Sequence, residues 1–301
     1  MYLNFYHFRE EPFNNTPDPR FLFLSRQHEE AIASLVYGIQ NRKGFMAVIG
    51  DIGTGKTTLC RALIGRLDDN VDTSVIFNPL LSVLELLKAI NDDFGNPTAA
   101  DDTVKGQIDA LNKFLLRRLR YKKNAVVVID EAQHLAVESL EMLRMLSNLE
   151  TENQKLVQFV FLGQPELEAK LKSEELRQLN QRMAIRYLLG ALNFSETCEY
   201  IKHRLSIAGG EGYIQFEEKA LSLIFEYSKG VPRVINLICD RALLEAYAER
   251  KQLVTKKTIK LAIGDIEGTS NIAGARIIRK PGLWHRIKAS LGWSKGELKC
   301  L

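Results

Sequence analysis

The chain has 301 residues, of which 46% are hydrophobic and 26% are charged, and its formal net charge is +4. This composition excludes disordered and fibrous classes, and it allows one large domain with a smaller one beside it. Residues 271–301 contain seven of the 41 Lys and Arg residues and one of the 37 Asp and Glu residues. Residues 1–270 therefore have a slightly negative net charge. The pI of 8.7 therefore does not indicate a general nucleic-acid binder.

The four cysteines share no short spacing, which argues against a metal site or a disulfide framework and favours a reducing compartment. The first residues have no basic-then-apolar signal pattern, and no apolar run reaches membrane-spanning length. We therefore expect a cytoplasmic protein that is at most attached to a membrane surface.

In chain order, 1–43 is an aromatic and proline-rich lead-in followed by a helix that Ser25 caps. Strands and helices then alternate over 44–190, a helical region fills 191–267, and a basic tail covers 268–301. Strands are expected at 44–49, 73–77, 125–129, 156–162 and 184–189. Helices are expected from Ser25 to about 42 and at 56–67, 83–94, 104–121, 138–149, 166–181, 196–208, 217–227, 231–250 and 255–266. The pattern predicts an α/β fold, with a parallel sheet flanked by helices and then a small all-helical lid domain that lacks strands.

Residues 50–57 match the pattern G-x-x-x-x-G-K-[ST] between a predicted strand and a predicted helix. Glycines let successive backbone N–H groups point at phosphate oxygens, and the helix start adds its positive dipole end. Lys56 is expected to reach the phosphates, and the Thr57 hydroxyl to bind Mg²⁺. An incidental glycine-rich turn is the alternative, but the full spacing in this setting favours a phosphate site. The residues assigned to it are Gly50, Asp51, Ile52, Gly53, Thr54, Gly55, Lys56, Thr57 and Thr58.

The apolar run 125–129 ends in Asp130 and Glu131, which a buried parallel strand would present at its carboxyl edge. We expect Asp130 to hold Mg²⁺ through its water shell, and Glu131 to orient and deprotonate the attacking water. The alternative is that both acids merely begin the next helix. With the phosphate loop present, the sequence predicts an ATPase that uses ATP and Mg²⁺.

The phosphate loop, the box at 130–133 and the helical C-terminal region resemble AAA+ ATPases, and more narrowly the general secretion pathway A (ExeA-type) family. The resemblance runs from the first residue to about 266 and is carried by 12–13, 17–21, 28–29, 37–38, 44–45, 163–167, 176–182 and 230–237. It implies an ATP-dependent homo-oligomer, such as a hexamer, that serves assembly of a secretion, pilus or exopolysaccharide apparatus. It does not imply peptidoglycan binding, which that family places in a part beyond these residues.

The resemblance also implies roles for two arginines. Arg233 matches the sensor 2 position, and a cation in the first turn of a helix after Pro232 suggests a nearby anion such as the γ-phosphate. Arg182, just before the last predicted strand of the sheet, matches the arginine finger that reaches a neighbouring subunit's ATP. A solvated arginine and a favourable helix C-terminus are the respective alternatives, and Arg177 and Arg186 compete with Arg182.

Two polar strand ends complete the implied site. Gln164 matches sensor 1 and would polarise the water, and Asn78 would hold Glu131 inactive until a partner binds. Both residues are otherwise ordinary polar strand ends. His28 and His134 have no partner pattern and are interpreted as structural or surface residues.

A basic amphipathic helix is predicted within 281–293. One side of its helical wheel carries Leu283, Trp284, Ile287 and Leu291, and the other carries His285, Arg286 and Lys288. This pattern favours contact with an anionic membrane surface, and packing onto the ATPase body or a disordered tail are the alternatives.

The alternative function is an ATP-switched DNA-binding regulator such as a transposition helper ATPase. The slightly acidic body and the lack of an aromatic and basic stripe count against it, although a ring can present a basic inner face that one chain does not. Nucleic acid is therefore a disfavoured partner.

Overall fold

The computed structural model describes residues 2–15, 18–96, 103–151, 154–210 and 212–268. Helices α1 to α12 are Tyr2–Phe5, Arg26–Gln40, Lys56–Gly65, Val83–Asp93, Val104–Arg120, Val137–Leu146, Pro165–Leu171, Arg177–Gln181, Phe194–Ile207, Glu218–Ser228, Pro232–Ala248 and Lys256–Ile266. Strands β1 to β7 are Phe45–Gly50, Val71–Ile76, Asn124–Ile129, Gln158–Gly163, Met183–Leu189, Gln215–Phe216 and Leu253–Val254. The amphipathic helix predicted in 281–293 lies outside the described residues.

The chain divides into two compact units, Pro17–Ala191 and a second one made of Met1–Thr16 with Leu192–Leu301. The predicted lead-in 1–43 is therefore split between the units, and the division near the lid falls at 191/192 where 190/191 was expected. Within the described part, no helix is long and apolar enough to cross a membrane.

The first unit is built on a five-stranded parallel sheet in the order β2-β3-β4-β1-β5. Every residue of β1, β3 and β4 is buried, as expected for central strands that helices cover on both faces. Because the strands are parallel, their carboxyl ends meet at one edge of the sheet. Ile49 pairs with Gly163 and Ile129 pairs with Phe161, so the loops after β1, β4 and β3 are neighbours.

Side chains of each central strand alternate between two apolar clusters. Phe45, Ala47 and Ile49 of β1 pack with buried residues of α4, α5, α6 and α7 on one face of the sheet. Met46 and Val48 pack with α2 and α3 on the other face. Full burial of one such side chain contributes roughly 1.5–3 kcal/mol, so these clusters hold the carboxyl edge in place.

The predicted helix 166–181 is wrong, because the structure has two helices, α7 and α8, separated at 172–176. Leu167, Leu171, Leu176 and Leu179 are all fully or almost fully buried. In one straight helix Leu176 would lie on the side opposite Leu167, because nine residues at 100° per residue make two and a half turns. The break lets both leucines face the same core.

The second unit contains α1 and α9 to α12, together with a small parallel pair of β6 and β7. The expectation of no strands beyond Ser195 is therefore wrong, because two-residue strands are too short to give an alternating pattern. Residues 2–15 belong to this unit through specific contacts. Arg204 donates to the carbonyl oxygen of Asn14 at 2.8 Å, and the Tyr6 hydroxyl donates to the carbonyl oxygen of Lys251 at 2.8 Å.

Candidate functional site

The loop between β1 and α3 contains the predicted phosphate-binding residues. Gly55 has a φ of 98° and caps α3, a backbone conformation that few residues other than glycine adopt. A Cβ on Gly50 would lie 2.7 Å from the carbonyl oxygen of Leu189 in β5, so the start of the loop also excludes a side chain. The loop is therefore a tight backbone turn placed against the sheet and the start of a helix.

The ammonium group of Lys56 is buried within this loop, with 5% of the residue exposed. It donates to the carbonyl oxygens of Gly50 at 2.8 Å and Asp51 at 2.9 Å. Burial lowers the pKa of Lys56, and the negative charges of Glu131 and Asp130 oppose that shift. An anionic ligand would supply the charge partner that these neutral carbonyl groups do not.

Thr57 and Asp130 connect the start of α3 to the end of β3. The Thr57 hydroxyl donates to Oδ2 of Asp130 at 2.6 Å, and the backbone N–H of Glu131 donates to Oδ1 at 2.9 Å. Burial raises the pKa of Asp130, and these two hydrogen bonds act in the opposite direction. A hydroxyl and a carboxylate at this position are hard oxygen ligands of the kind that Mg²⁺ prefers.

Glu131 is held by two glutamines through a single carboxylate oxygen. Its Oε2 accepts from Nε2 of Gln133 at 2.5 Å and from Nε2 of Gln164 at 3.1 Å. The backbone N–H of Gln164 also donates to Oε1 of Gln133 at 3.1 Å, so the three side chains form one network. The other carboxylate oxygen of Glu131, Oε1, has no hydrogen bond to any residue that the structure describes.

The backbone and the charge of Glu131 are both unusual. Its φ of 52° lies in the left-handed region, where residues other than glycine are uncommon and often functional. Burial alone would raise the pKa of Glu131, but hydrogen bonds from Gln133 and Gln164 and the charge of Lys56 outweigh it, so the pKa is lowered. Glu131 is thus an ionised carboxylate with one oxygen fixed and one available.

The loop and these side chains fit a nucleoside triphosphate with Mg²⁺. The tight loop leaves no room for a Cβ at Gly50, the Lys56 ammonium lacks an anionic hydrogen-bond partner among the described residues, and Thr57 and Asp130 present oxygen ligands. No cluster of three or more His, Cys, Asp or Glu residues able to hold a metal is found in the described ranges. Magnesium sites at phosphates need few protein ligands, because phosphate oxygens and waters supply the rest.

Two residues near this site were not assigned to it from the sequence. Gln133 was noted only as part of the box at 130–133, and its position two residues after Glu131 was the available signal. His28 was interpreted as a structural or surface residue. Its ring is buried against the phosphate loop, with Nε2 3.1 Å from the carbonyl oxygen of Thr54. The exposed His134 follows Glu131 in a short 3-10 turn.

Asn78 follows β2 but is not joined to Glu131 by a hydrogen bond between described residues. Its Oδ1 accepts from the backbone N–H of Leu80 at 3.4 Å. The structure brings Gln164 to Glu131 from the neighbouring strand β4.

Three candidate arginines, Arg177, Arg182 and Arg186, belong to the same unit as the phosphate loop but lie away from it. The fourth, Arg233, belongs to the other unit. Arg182 precedes β5 and therefore lies at the amino edge of the sheet, about 23 Å from the carboxyl edge along the seven residues of the strand. Its guanidinium donates to Ser147 Oγ at 2.9 Å and to Asn148 Oδ1 at 2.6 Å. Arg186 lies within β5 and contacts Asn180, and the exposed Arg177 begins α8. The exposed Arg233 is the second residue of α11, directly after Pro232.

Comparison with known proteins agrees with this architecture. Residues 39–171 match the AAA domain family. The chain is 42% identical over 284 residues to general secretion pathway protein A of Aeromonas hydrophila, a match that covers 94% of this chain and 50% of that protein. The chain thus spans about half the length of this curated relative.

Solved structures of two archaeal proteins have a similar fold. The Aeropyrum pernix ORC2 protein in its ADPNP-ADP complexes has a TM-score of 0.63 and 18% identity, covering 89% of this chain and 73% of that one. Cdc6p of Pyrobaculum aerophilum has a TM-score of 0.65 and 15% identity, covering 85% of this chain and 70% of that one. At these identities the likeness concerns the fold alone. From the matched domain, the sheet order and the relative, we conclude that the chain carries an AAA domain over residues 39–171 and is related to general secretion pathway protein A.

Proposed function

We propose that this protein binds ATP with Mg²⁺ and hydrolyses the bond between the β- and γ-phosphates. The observation that carries the proposal is the meeting of Lys56, Thr57, Asp130 and Glu131 at one edge of the sheet. These residues come from two separate loops, so the arrangement depends on the fold and not on one local motif.

Binding depends on residues 50–58. Their backbone N–H groups and the start of α3 supply partial positive charge, and the Lys56 ammonium turns from the carbonyl oxygens of Gly50 and Asp51 to the phosphates. Thr57 and Asp130 hold Mg²⁺, Asp130 through a water of the metal. When bound, Mg²⁺ neutralises charge on the phosphate oxygens.

Glu131 orients the attacking water and accepts its proton at Oε1. Gln133 and Gln164 occupy Oε2 and leave Oε1 facing the water. The lowered pKa keeps the carboxylate ionised at neutral pH, which suits a group whose first task is orientation. We also assign to Gln164 the sensor 1 role of polarising the water, which its contact with Glu131 supports. Asn78 would restrain Glu131 only after it leaves the N–H of Leu80.

Two arginines complete the proposed machinery. Arg233 is assigned to the γ-phosphate by the family pattern after Pro232. Arg182 is assigned to the ATP of a neighbouring subunit, because it lies at the opposite edge of the sheet from the phosphate loop of its own unit. Arg177 and Arg186 compete for this role. An arginine supplied in trans makes turnover depend on an oligomer, for which we propose a ring such as a hexamer.

The related secretion protein supports a role in assembling a secretion, pilus or exopolysaccharide apparatus. Proteins of such an apparatus are then the partners, and the location is the cytoplasm, at the inner face of the membrane if 281–293 contacts lipid. ATP turnover that responds to purified apparatus proteins, and not to DNA, would separate this role from the DNA-binding alternative.

The test is phosphate release by the wild-type protein, Glu131→Gln and the control Glu138→Gln. Glu138 is an exposed glutamate in the first turn of α6, so the same chemical change there should leave turnover unchanged. Glu131→Gln should bind ATP with near-normal affinity and lose turnover by about 10²- to 10⁴-fold. Normal turnover in Glu131→Gln contradicts its role, and ATP binding without turnover in the wild type contradicts hydrolysis.

A further inference from the structure

The ring of His28 connects the start of α2 to the phosphate loop. His28 is buried, with 3% of the residue exposed, and Ser25 and Thr54 beside it are also buried. Its Nδ1 lies 2.7 Å from the Ser25 hydroxyl, and its Nε2 lies 3.1 Å from the carbonyl oxygen of Thr54. Ser25 also caps α2 by accepting from the backbone N–H of His28.

These contacts determine where the ring carries its proton. A carbonyl oxygen can only accept a hydrogen bond, so the contact with Thr54 requires a proton on Nε2. When the ring is neutral, Nδ1 accepts from the Ser25 hydroxyl, which can be both a donor and an acceptor. His28 therefore acts as a donor toward the loop.

Holding the Thr54 carbonyl fixes the whole peptide group between Thr54 and Gly55. In a planar trans peptide the C=O and the following N–H point in opposite directions. Because the Thr54 carbonyl points at His28 in α2, the N–H of Gly55 points away from α2. This N–H has no hydrogen bond to any of the residues described in the structure.

Without the hydrogen bond from His28, the Thr54–Gly55 peptide group could flip at little cost in free energy. Such a flip changes ψ of Thr54 and φ of Gly55, and glycine adopts both signs of φ. The flipped peptide would present a carbonyl oxygen to the phosphates in place of an N–H, which replaces attraction by repulsion. The ring also lies so close to the loop that a Cβ on Gly55 would be 2.8 Å from Nε2.

We propose that His28 is a positioning residue of the phosphate site, which holds the Thr54–Gly55 peptide so that the Gly55 N–H faces the bound phosphates. The inference rests on the proposed nucleotide binding. It gives His28 a specific chemical task, namely donation from Nε2, beyond filling space between α2 and the loop.

The test measures ADP affinity by calorimetry for the wild type, His28→Leu and His28→Gln, with His7→Leu as a control at an exposed histidine of the other unit. His28→Leu fills the space without a donor and should weaken ADP binding about tenfold, the effect of losing roughly one hydrogen bond to a charged group. His28→Gln restores an N–H near the position of Nε2 and should bind within about threefold of the wild type. Thermal unfolding of each variant separates affinity from stability.

Equal ADP affinity of the wild type and His28→Leu overturns the role of His28 alone, even if the melting temperature falls. A loss in His28→Leu that His28→Gln does not restore overturns the hydrogen-bond argument. A wild type that fails to bind ADP contradicts the proposed function and with it this role. If His28→Leu does not fold, ¹⁵N NMR of the wild-type ring decides: a proton on Nε2 supports the inference, and an unprotonated Nε2 overturns it.

Discussion

The hydroxyl of Thr57 and the carboxylate of Asp130 are joined by a hydrogen bond of 2.6 Å although 73 residues separate them in the chain. The contact links the first turn of α3 to the end of β3, because β1 and β3 both pair with β4 in register. The sheet thereby brings together the two oxygens that we propose as Mg²⁺ ligands.

Thr57→Val should raise the concentration of Mg²⁺ that ATP binding requires. Valine keeps the shape of threonine but lacks the oxygen that contacts Asp130 and that we propose as a ligand of the metal. We expect the Mg²⁺ concentration for half-maximal ATP binding to rise at least about tenfold, since a charge-assisted contact is lost. Titration of Mg²⁺ at fixed ATP measures this, with Thr73→Val in β2 as the matched control. An unchanged Mg²⁺ requirement in Thr57→Val argues against a metal ligand at this position.

Gln133→Leu should shift the pH profile of turnover toward higher pH. In the wild type the pKa of Glu131 is lowered, so the base stays ionised and turnover falls only as pH drops below the usual glutamate range. Removing the bond from Gln133 raises that pKa and moves the acid limb upward. We expect kcat at neutral pH to fall about tenfold with KM nearly unchanged, because orientation of Glu131 is lost. An acid limb at the same pH in both proteins is incompatible with this role.

Subunits carrying Arg182→Ala should regain activity when mixed with subunits carrying Lys56→Ala. Each variant alone is inactive, but a Lys56→Ala subunit can supply its arginine to the intact phosphate site of an Arg182→Ala neighbour. To do so, Arg182 must leave Ser147 and Asn148. Phosphate release by the mixture measures the effect. A mixture as inactive as its components removes Arg182 from this role, and parallel mixtures with Arg177→Ala and Arg186→Ala test the competitors.

Gly230→Ala should lower the free energy of unfolding by about 2 kcal/mol or more. Gly230 has a φ of 76°, and its Cβ would lie 1.8 Å from the carbonyl oxygen of Leu192. Gly65, at the end of α3, has no atom within 4 Å of its Cβ position. Gly65→Ala should leave stability unchanged or raise it by up to about 1 kcal/mol. Urea unfolding of both variants tests the contrast. Equal stabilities would contradict the prediction, because they would mean that the backbone at Leu192 moves to make room for the added Cβ.

The sequence predicts the carboxyl edge of the sheet well, for physical reasons that are local. The run 125–129 is continuously apolar and β-branched, so its burial and its end at Asp130 follow from composition. Residues 50–57 occupy a fixed spacing between a strand and a helix. The five parallel strands, and thus the predicted α/β class, are confirmed.

Contacts between distant residues could not be read from local pattern. Asn78 and Gln164 both follow strands next to β3, and only the packed side chains distinguish Gln164 as the partner of Glu131. His28 lies 26 residues from Thr54, so its contact depends on how α2 packs on the sheet. The local pattern also did not predict the break between α7 and α8, because the residues on each side of the break are helical.

The central claim is that a buried ammonium group and backbone amides bind the phosphates of ATP. The most direct measurement is the equilibrium affinity of the wild type, Lys56→Ala and Lys43→Ala for ATP with Mg²⁺. Lys43 is exposed at the opposite end of β1 and serves as the matched control. We expect tight binding by the wild type and Lys43→Ala, and binding about a hundredfold weaker by Lys56→Ala. Absence of ATP binding by the wild type, or equal affinity in Lys56→Ala, would contradict it.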